Sequence, residues 1–347
     1  MISKDDILTS LIVKQNHCLD KVIQGKNVVA KIQNKDTIVY NVNIDNKIYP
    51  ISFKTLALQQ ILSKIGVSTA FYNKCPVFLQ KDIFNYFMSL EHEKDFFFRF
   101  FGWLDVNDEL KDHLIHARAV LSSGYSAIDD YVLFPKVLDV LSKTTKIEDC
   151  KFTNFEISDQ VTRVIVLFQD CVLAFDNKEY SAGLSIVNSE TGQSSVWIEP
   201  VILHNGFVIY NRASLQKQQV PCRIVHRGTQ TFDKLDELIS KSKQIAQVGL
   251  VQFIESLQEK ISREQAMQYV KNIEALPSRF QLLFEDQWKN EQELSRAEVT
   301  LTILKAAQEL PLFQRIQVEQ QAGIVSKLFN NFESRISSIL EDIASID

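Results

Sequence analysis

The chain has 347 residues, 45% of them hydrophobic and 23% charged, with only 10 Gly and 7 Pro. That profile excludes collagen, low complexity and disorder, and it fits about two domains or one α+β domain with a helical extension. The formal net charge of -5 at pH 7 argues against a polycation that coats nucleic acid indiscriminately, while leaving room for a local basic stripe.

At the start of the chain, Asp5 and Asp6 stand where an export signal carries positive charge, and Lys14 breaks the apolar run that follows. No signal peptide is expected. Between Asn27 and Phe53, the runs Val28–Ile32 and Thr37–Val42, separated by Asn, Asp and Lys, predict two or three strands with Asn/Asp turns. Leu58, Ile61, Leu62 and Ile65 recur at helical spacing before Gly66, and a second helix is expected after Pro76. A helical hairpin over 54–90 results. Asp105 to Ser122 and Tyr131 to Leu141 also read as helices.

From Cys150 to Val225 the pattern changes to short β-branched and aromatic runs: 161–168, 171–175, 184–187, 195–198 and 207–210. These predict a mainly antiparallel sheet with tight turns at Asn188–Gly192 and His204–Gly206. After Phe232 helical periodicity takes over, with a Ser262/Gln265 capping pair and with Pro277 and Pro311 where helices begin. The expected architecture is α+β: an N-terminal strand and helix region, a central twisted antiparallel sheet and a C-terminal helical region. The division runs 1–232 for the α+β core and 233–347 for the helices.

Five scattered cysteines show no CxxC pair, which fits a reducing, cytoplasmic setting. The most apolar stretches, near Phe96–Leu104 and Val164–Phe168, are far shorter than the roughly 20 residues that span a bilayer. A soluble protein without membrane contact is expected.

Candidate chemistry is sparse. His113 and His116 lie three apart on an expected helix and could share a metal, but nothing fixes further ligands, and a helix with one buried His accounts for them better. Ser189, Ser194 and Ser195 flank Gly192 without a GxSxG elbow, and neither a P-loop nor a GxGxxG turn is present. No cofactor is expected. The run Phe96–Trp103, with Arg99 inside it, could stack bases, but that many consecutive rings read first as core. Between Pro200 and Phe232 the charged residues are Arg212, Lys217, Arg223 and Arg227, with no acid, beside Phe207 and Tyr210. Such a segment could track a phosphate backbone, or it could be a solvated hairpin facing the net acidic helical tail.

Several segments together resemble the phage- and plasmid-borne family catalogued as domain of unknown function 932. They are Phe71–Pro76, Arg118–Tyr125 followed by Ile128–Asp130, Gly183–Gly192, Asn205-Gly206 and Arg223–Gly228, spread over about half the chain. Leu203 and His204 stand where that family would carry an Arg and a Cys. The resemblance implies a mobile-element origin, most simply a bacteriophage, and work on DNA in replication or recombination, with no established activity to carry over.

The functional expectation is a single-stranded DNA-binding, strand-annealing protein that works as a homo-oligomer without enzymatic residues. Phosphate contacts are assigned to Arg118, Arg163, Arg212, Lys217, Arg223 and Arg227, and stacking to Tyr125, Tyr210 and His226. The C-terminal helices would contact subunits, or a phage or host protein. The rivals are a structural or interaction protein of a phage and a metal-dependent nuclease using Asp129, Asp130, Glu190 and His226.

Overall fold

The computed structural model describes residues 3–34, 36–102, 115–144, 150–211, 222–226 and 235–325. The chain opens with α1 (Lys4–Asn16), capped by Ser3, whose Oγ accepts the Asp6 N–H at 3.0 Å while the Asp6 carboxylate accepts the Ser3 N–H at 3.1 Å. This reciprocal pair satisfies two of the donors that a helix start leaves open.

A first six-stranded sheet is built from β1 (Cys18–Gln24), β2 (Val28–Asn34), β3 (Thr37–Ile44), β4 (Lys47–Phe53), β5 (Asp95–Phe101) and β6 (Ile115–Ser122). Its order is β1-β5-β6-β4-β3-β2, antiparallel throughout except for the parallel β4–β6 pair. Asp45 and Asn46 take the left-handed conformation between β3 and β4, the expected Asn/Asp hairpin turn. The predicted helical hairpin is α2 (Thr55–Lys64), a single turn α3 (Thr69–Tyr72) and α4 (Val77–Leu90), with Gly66 at φ 78 closing α2. These helices share a core with the sheet.

The aromatic run forms β5, where Phe96, Phe98 and Phe100 are buried in that core, so packing takes the rings, as expected. Arg99 points to the opposite face and is itself buried. One expectation fails here. Residues 115–122 form strand β6 and not a helix. Ala117, Arg118, Ala119 and Leu121 favour helix in isolation, but pairing with β5 on one side and β4 on the other decides the conformation.

After α5 (Asp130–Thr144) comes a second sheet of β7 (Cys150–Ile157), β8 (Thr162–Phe175), β9 (Lys178–Asn188), β10 (Val196–His204) and β11 (Phe207–Tyr210), in the order β11-β10-β9-β8-β7. All pairs are antiparallel, and β12 (Cys222–Ile224) adds to the first part of β10. The two apolar runs at 161–168 and 171–175 belong to one long strand, β8, whose register against β9 shifts between Leu167 and Val172. Asn205 and Gly206, both with positive φ, make the β10–β11 turn that their residue types favour.

The remainder is α6 (Leu235–Ser256), β13 (Lys260–Ser262), α7 (Arg263–Lys271), α8 (Ser278–Gln287), β14 (Glu293–Ser295), α9 (Arg296–Ala307) and α10 (Leu312–Val325). The Ser262/Gln265 capping box forms, and Pro277 and Pro311 immediately precede α8 and α10. The β13–β14 ribbon was not legible, because three-residue strands carry no periodic signal. One hydrophobic cluster runs from Ile7 and Leu11 through the second sheet to α6, α9 and α10. That cluster takes in residues on both sides of position 232, a second fills the space between the first sheet and α2–α4, and a third joins the second sheet to α10 through Ile316. Among the described residues no helix is long and apolar enough to cross a membrane.

Candidate nucleic-acid interface

The Asn188–Gly192 turn between β9 and β10 lies where the two sheets meet, over a buried network of opposite charges. Arg99 on β5 grips Asp20 on β1 through Nε and Nη2 at 3.0 and 2.7 Å, pairs with Asp129, and donates Nη1 to the Glu190 carbonyl at 2.7 Å. Arg118 on β6 donates Nη1 to Glu190 Oε2 at 2.6 Å. From α1, Lys14 Nζ reaches Asp130 Oδ2 at 2.8 Å and Glu190 Oε2 at 2.9 Å. Asp130 also accepts from Thr162 Oγ1 at 2.6 Å and Asn188 Nδ2 at 2.7 Å, while its own N–H binds Glu190 Oε1 at 2.9 Å. Burial opposes ionisation of Glu190, but Arg118, Lys14 and Arg99 outweigh it and hold its carboxyl below the usual range. Asp130 goes the other way, pushed up by burial and by the charge of Glu190.

This network pins the turn. Ser189 Oγ donates to the Gln160 carbonyl at 2.8 Å, and Gln60 spans the sheets by donating to the Thr191 carbonyl at 2.9 Å and accepting from the Val120 N–H at 2.8 Å. Gly192 sits at φ 75, where a Cβ would meet Leu121 Cδ2 at 2.7 Å. Asn188, whose residue type suits a left-handed turn position, does not take one. Its side chain is used instead, tying the Ile128 carbonyl to Asp130.

Above the turn are two adjoining cavities. One, about 560 Å³, is lined by Gly124, Tyr125, Gly192, Ser194, Arg223 and His226. The other, about 360 Å³, is bounded by Trp197, Arg223 and Phe313, Ile316 and Gln317 of α10. They share Gln193, Ser194, Ser195 and Arg223 and so form one groove. The Arg223 guanidinium lies 5.3 Å over the Trp197 ring, and its Nε donates to Ser195 Oγ at 3.1 Å. Arg223 is exposed, and no described carboxylate pairs with it. In the opposite wall Tyr125 and His226 stack with centroids 5.1 Å apart at 10°, joined by a 2.9 Å hydrogen bond between Tyr125 OH and His226 Nδ1. Burial, with the charge of Arg99, pushes the His226 imidazole down to about 4, and burial pushes the Tyr125 hydroxyl up.

Of the residues singled out in the sequence, Arg223, Tyr125 and His226 meet at the groove. Arg212, Lys217 and Arg227 lie outside the described residues. Arg118, Arg163 and Tyr210 are buried, so the two arginines present no phosphate contact at the surface and the tyrosine no ring for a base to stack on. Each has an internal partner: Arg118 holds Glu190, Arg163 holds Glu156 and Glu319 of α10, and Tyr210 bonds Ser185 at 2.8 Å. A strand side chain facing the core must satisfy its charge internally, and sequence reading did not show which face each strand buries. The carboxylates of the nuclease rival, Asp129, Asp130 and Glu190, are all paired with cations. Of the histidine pair, His116 binds Ser52 Oγ, and His113 lies outside the described residues. No group of three metal-capable side chains occurs among the described residues.

Lys14, Asp20 and Arg99 went unnoticed as members of this network. Arg99 carried a readable signal, since a lone charge inside a buried aromatic strand requires a partner across the interface. Arg118, Tyr125, Asp129, Asp130, Asn188–Gly192, Arg223 and His226 supply much of the network and groove wall. Compared with protein-family models, curated proteins and solved structures, the chain matches none.

Proposed function

We propose that the protein binds single-stranded DNA along the groove over Gly192–Ser195, as a phage- or plasmid-borne factor that anneals strands in replication or recombination. One observation carries this reading: Arg223 is exposed at the junction of two cavities, over the Trp197 ring, with no described carboxylate to neutralise it. A guanidinium held over an indole offers a phosphate contact beside a surface on which bases can lie. The Ser194 and Ser195 hydroxyls and the Gly192 backbone fit close approach of a sugar-phosphate chain. The pinned turn supplies a rigid floor, which suits binding better than bond cleavage, and the carboxylates beneath it serve structure. Copies of the chain side by side would extend the groove along a strand. The C-terminal helices, with α10 forming one wall, are the candidate contact with a neighbouring copy or with a phage or host protein.

Fluorescence anisotropy of a labelled single-stranded oligonucleotide, at low and physiological salt, with divalent metal and with chelator, tests the proposal. Salt-sensitive binding that survives chelation, without cleavage, supports it. Cleavage abolished by chelator favours the nuclease. Absence of binding in every condition favours a structural or interaction protein of a phage, a reading to which the exposed Phe71, Phe78, Tyr86 and Leu90 on α3 and α4 lend support as an apolar contact face.

A further inference from the structure

We propose that the outward face of α4 is the contact through which two copies of this chain pair, their α4 helices packing antiparallel about a two-fold axis. The exposed residues of α4 are Phe78, Leu79, Asp82, Tyr86, Ser89 and Leu90, and at about 3.6 residues per turn they form one stripe covering roughly a third of the helix. Phe84 and Met88, on the opposite side, are buried in the core shared with the first sheet. A surface helix ordinarily turns charged and polar residues to solvent on the face away from its core. Here that face carries two aromatic rings and two leucines, with Phe78 60%, Tyr86 62% and Leu90 61% exposed.

The polar groups of the stripe are already engaged. Asp82 is held by Lys81 at 2.8 Å, and Ser89 Oγ donates to the Tyr86 carbonyl at 2.6 Å. The preceding turn, α3, adds Phe71, 56% exposed. A ring left more than half open offers on the order of 100 Å², and with the leucines the apolar surface is on the order of 450 Å². A standard interface takes about 800 Å² from each partner, a little over half of it apolar. The face therefore supplies the apolar area that one such contact needs.

Charge at the two ends selects a second copy as the occupant. Lys74, ahead of the stripe, is exposed and makes no ion pair among the described residues. Glu93, beyond its far end, is 86% exposed and pairs, among the described residues, only with the His92 imidazole at 3.7 Å. Antiparallel pairing sets Lys74 of each copy at the end where the other carries Glu93, and Phe78 of each at the level of Leu90 of the other. The stripe is thus complementary to itself, as a two-fold contact requires, and the positive start of each helix lies beside the negative end of its mate. Exposed charge pairs add little affinity; their part is to fix direction and register. The contact closes on itself and joins copies two at a time. It lies apart from the groove over Gly192–Ser195, whose walls contain no residue of α4, and does not rest on the assignment of that groove to DNA.

Sedimentation velocity of the whole chain, without nucleic acid and from submicromolar to high micromolar concentration, tests the pairing. Wild type is expected to pass from monomer to dimer. Phe78→Glu and Tyr86→Glu each place a charge on the stripe at an exposed position, where folding tolerates it, with thermal unfolding as the check. Each is expected to weaken dimerisation at least tenfold, while Leu282→Glu, at an exposed position on α8, leaves it unchanged. Lys74→Glu and Glu93→Lys each bring like charges together twice in the pair and are expected to weaken it several-fold. Mixed in equal amounts they restore it, because both end contacts of the mixed dimer again join opposite charges. Monomer at every concentration overturns the proposal, whether the face stays bare or serves a different protein. A dimer that survives Phe78→Glu and Tyr86→Glu combined places the contact elsewhere on the chain and overturns it too. Charge variants that do not recover on mixing overturn the antiparallel arrangement.

Discussion

Arg118 Nη1 lies 2.6 Å from Glu190 Oε2, with both side chains at least nine-tenths buried, so that one ion pair joins a strand of the first sheet to the turn of the second. Glu190 is also the acceptor for Lys14 and for the Asp130 N–H. Replacing it by Gln leaves two buried cations short of charge. Glu190→Gln is expected to lower the unfolding free energy in urea by about 3–5 kcal/mol; a loss below ~1 kcal/mol would contradict a structural role for the network.

His226 makes stability depend on acid. Its imidazole ordinarily titrates at 6.5, and burial brings it to about 4 in the folded chain. Between those values the unfolded chain binds the proton and the folded one does not, so stability rises with pH across that window and is lost as pH falls through it. The loss attributable to this one group is of order 2 kcal/mol by pH 4. His226→Phe, which can keep the stack on Tyr125, is expected to flatten this part of the pH–stability curve. An unchanged slope would place the acid sensitivity elsewhere.

Gly192 is required by conformation as well as by space. Its φ of 75 and the 2.7 Å approach of a Cβ to Leu121 make Gly192→Ala costly by roughly 1–2 kcal/mol. Because the residue lines the groove, the same substitution is expected to weaken oligonucleotide binding, measurable by anisotropy at a temperature where the variant remains folded. Wild-type stability and affinity would show that the turn is more pliant than its geometry implies.

Arg223→Ala separates binding from folding. The side chain is exposed, so thermal stability should stay within about 0.5 kcal/mol of wild type. Affinity for single-stranded DNA is expected to fall alike for all sequences, and the slope of log affinity against log salt to drop by about 1. An unchanged slope would remove Arg223 from the phosphate path.

Local chemistry made much of this architecture legible. The Asn/Asp hairpin turns, Gly66 after α2, the Ser262/Gln265 capping box and the prolines before α8 and α10 each act through a few neighbouring residues, and each appears as read. What depends on distant partners was not legible. Strand β6 reads as helix until β4 and β5 are beside it, and Arg118, Arg163 and Tyr210 read as surface groups until the sheets turn them inward. The groove was half visible: Tyr125, Arg223 and His226 were singled out, while Trp197 and the wall from α10 come from segments far apart in the chain.

The most direct test of the groove is hydrogen–deuterium exchange of the whole chain with and without a saturating single-stranded oligonucleotide. Slowed exchange concentrated in residues 192–197 and 222–226 is the predicted result. Slowing confined to α3 and α4, or none at all while the oligonucleotide is bound, would contradict it.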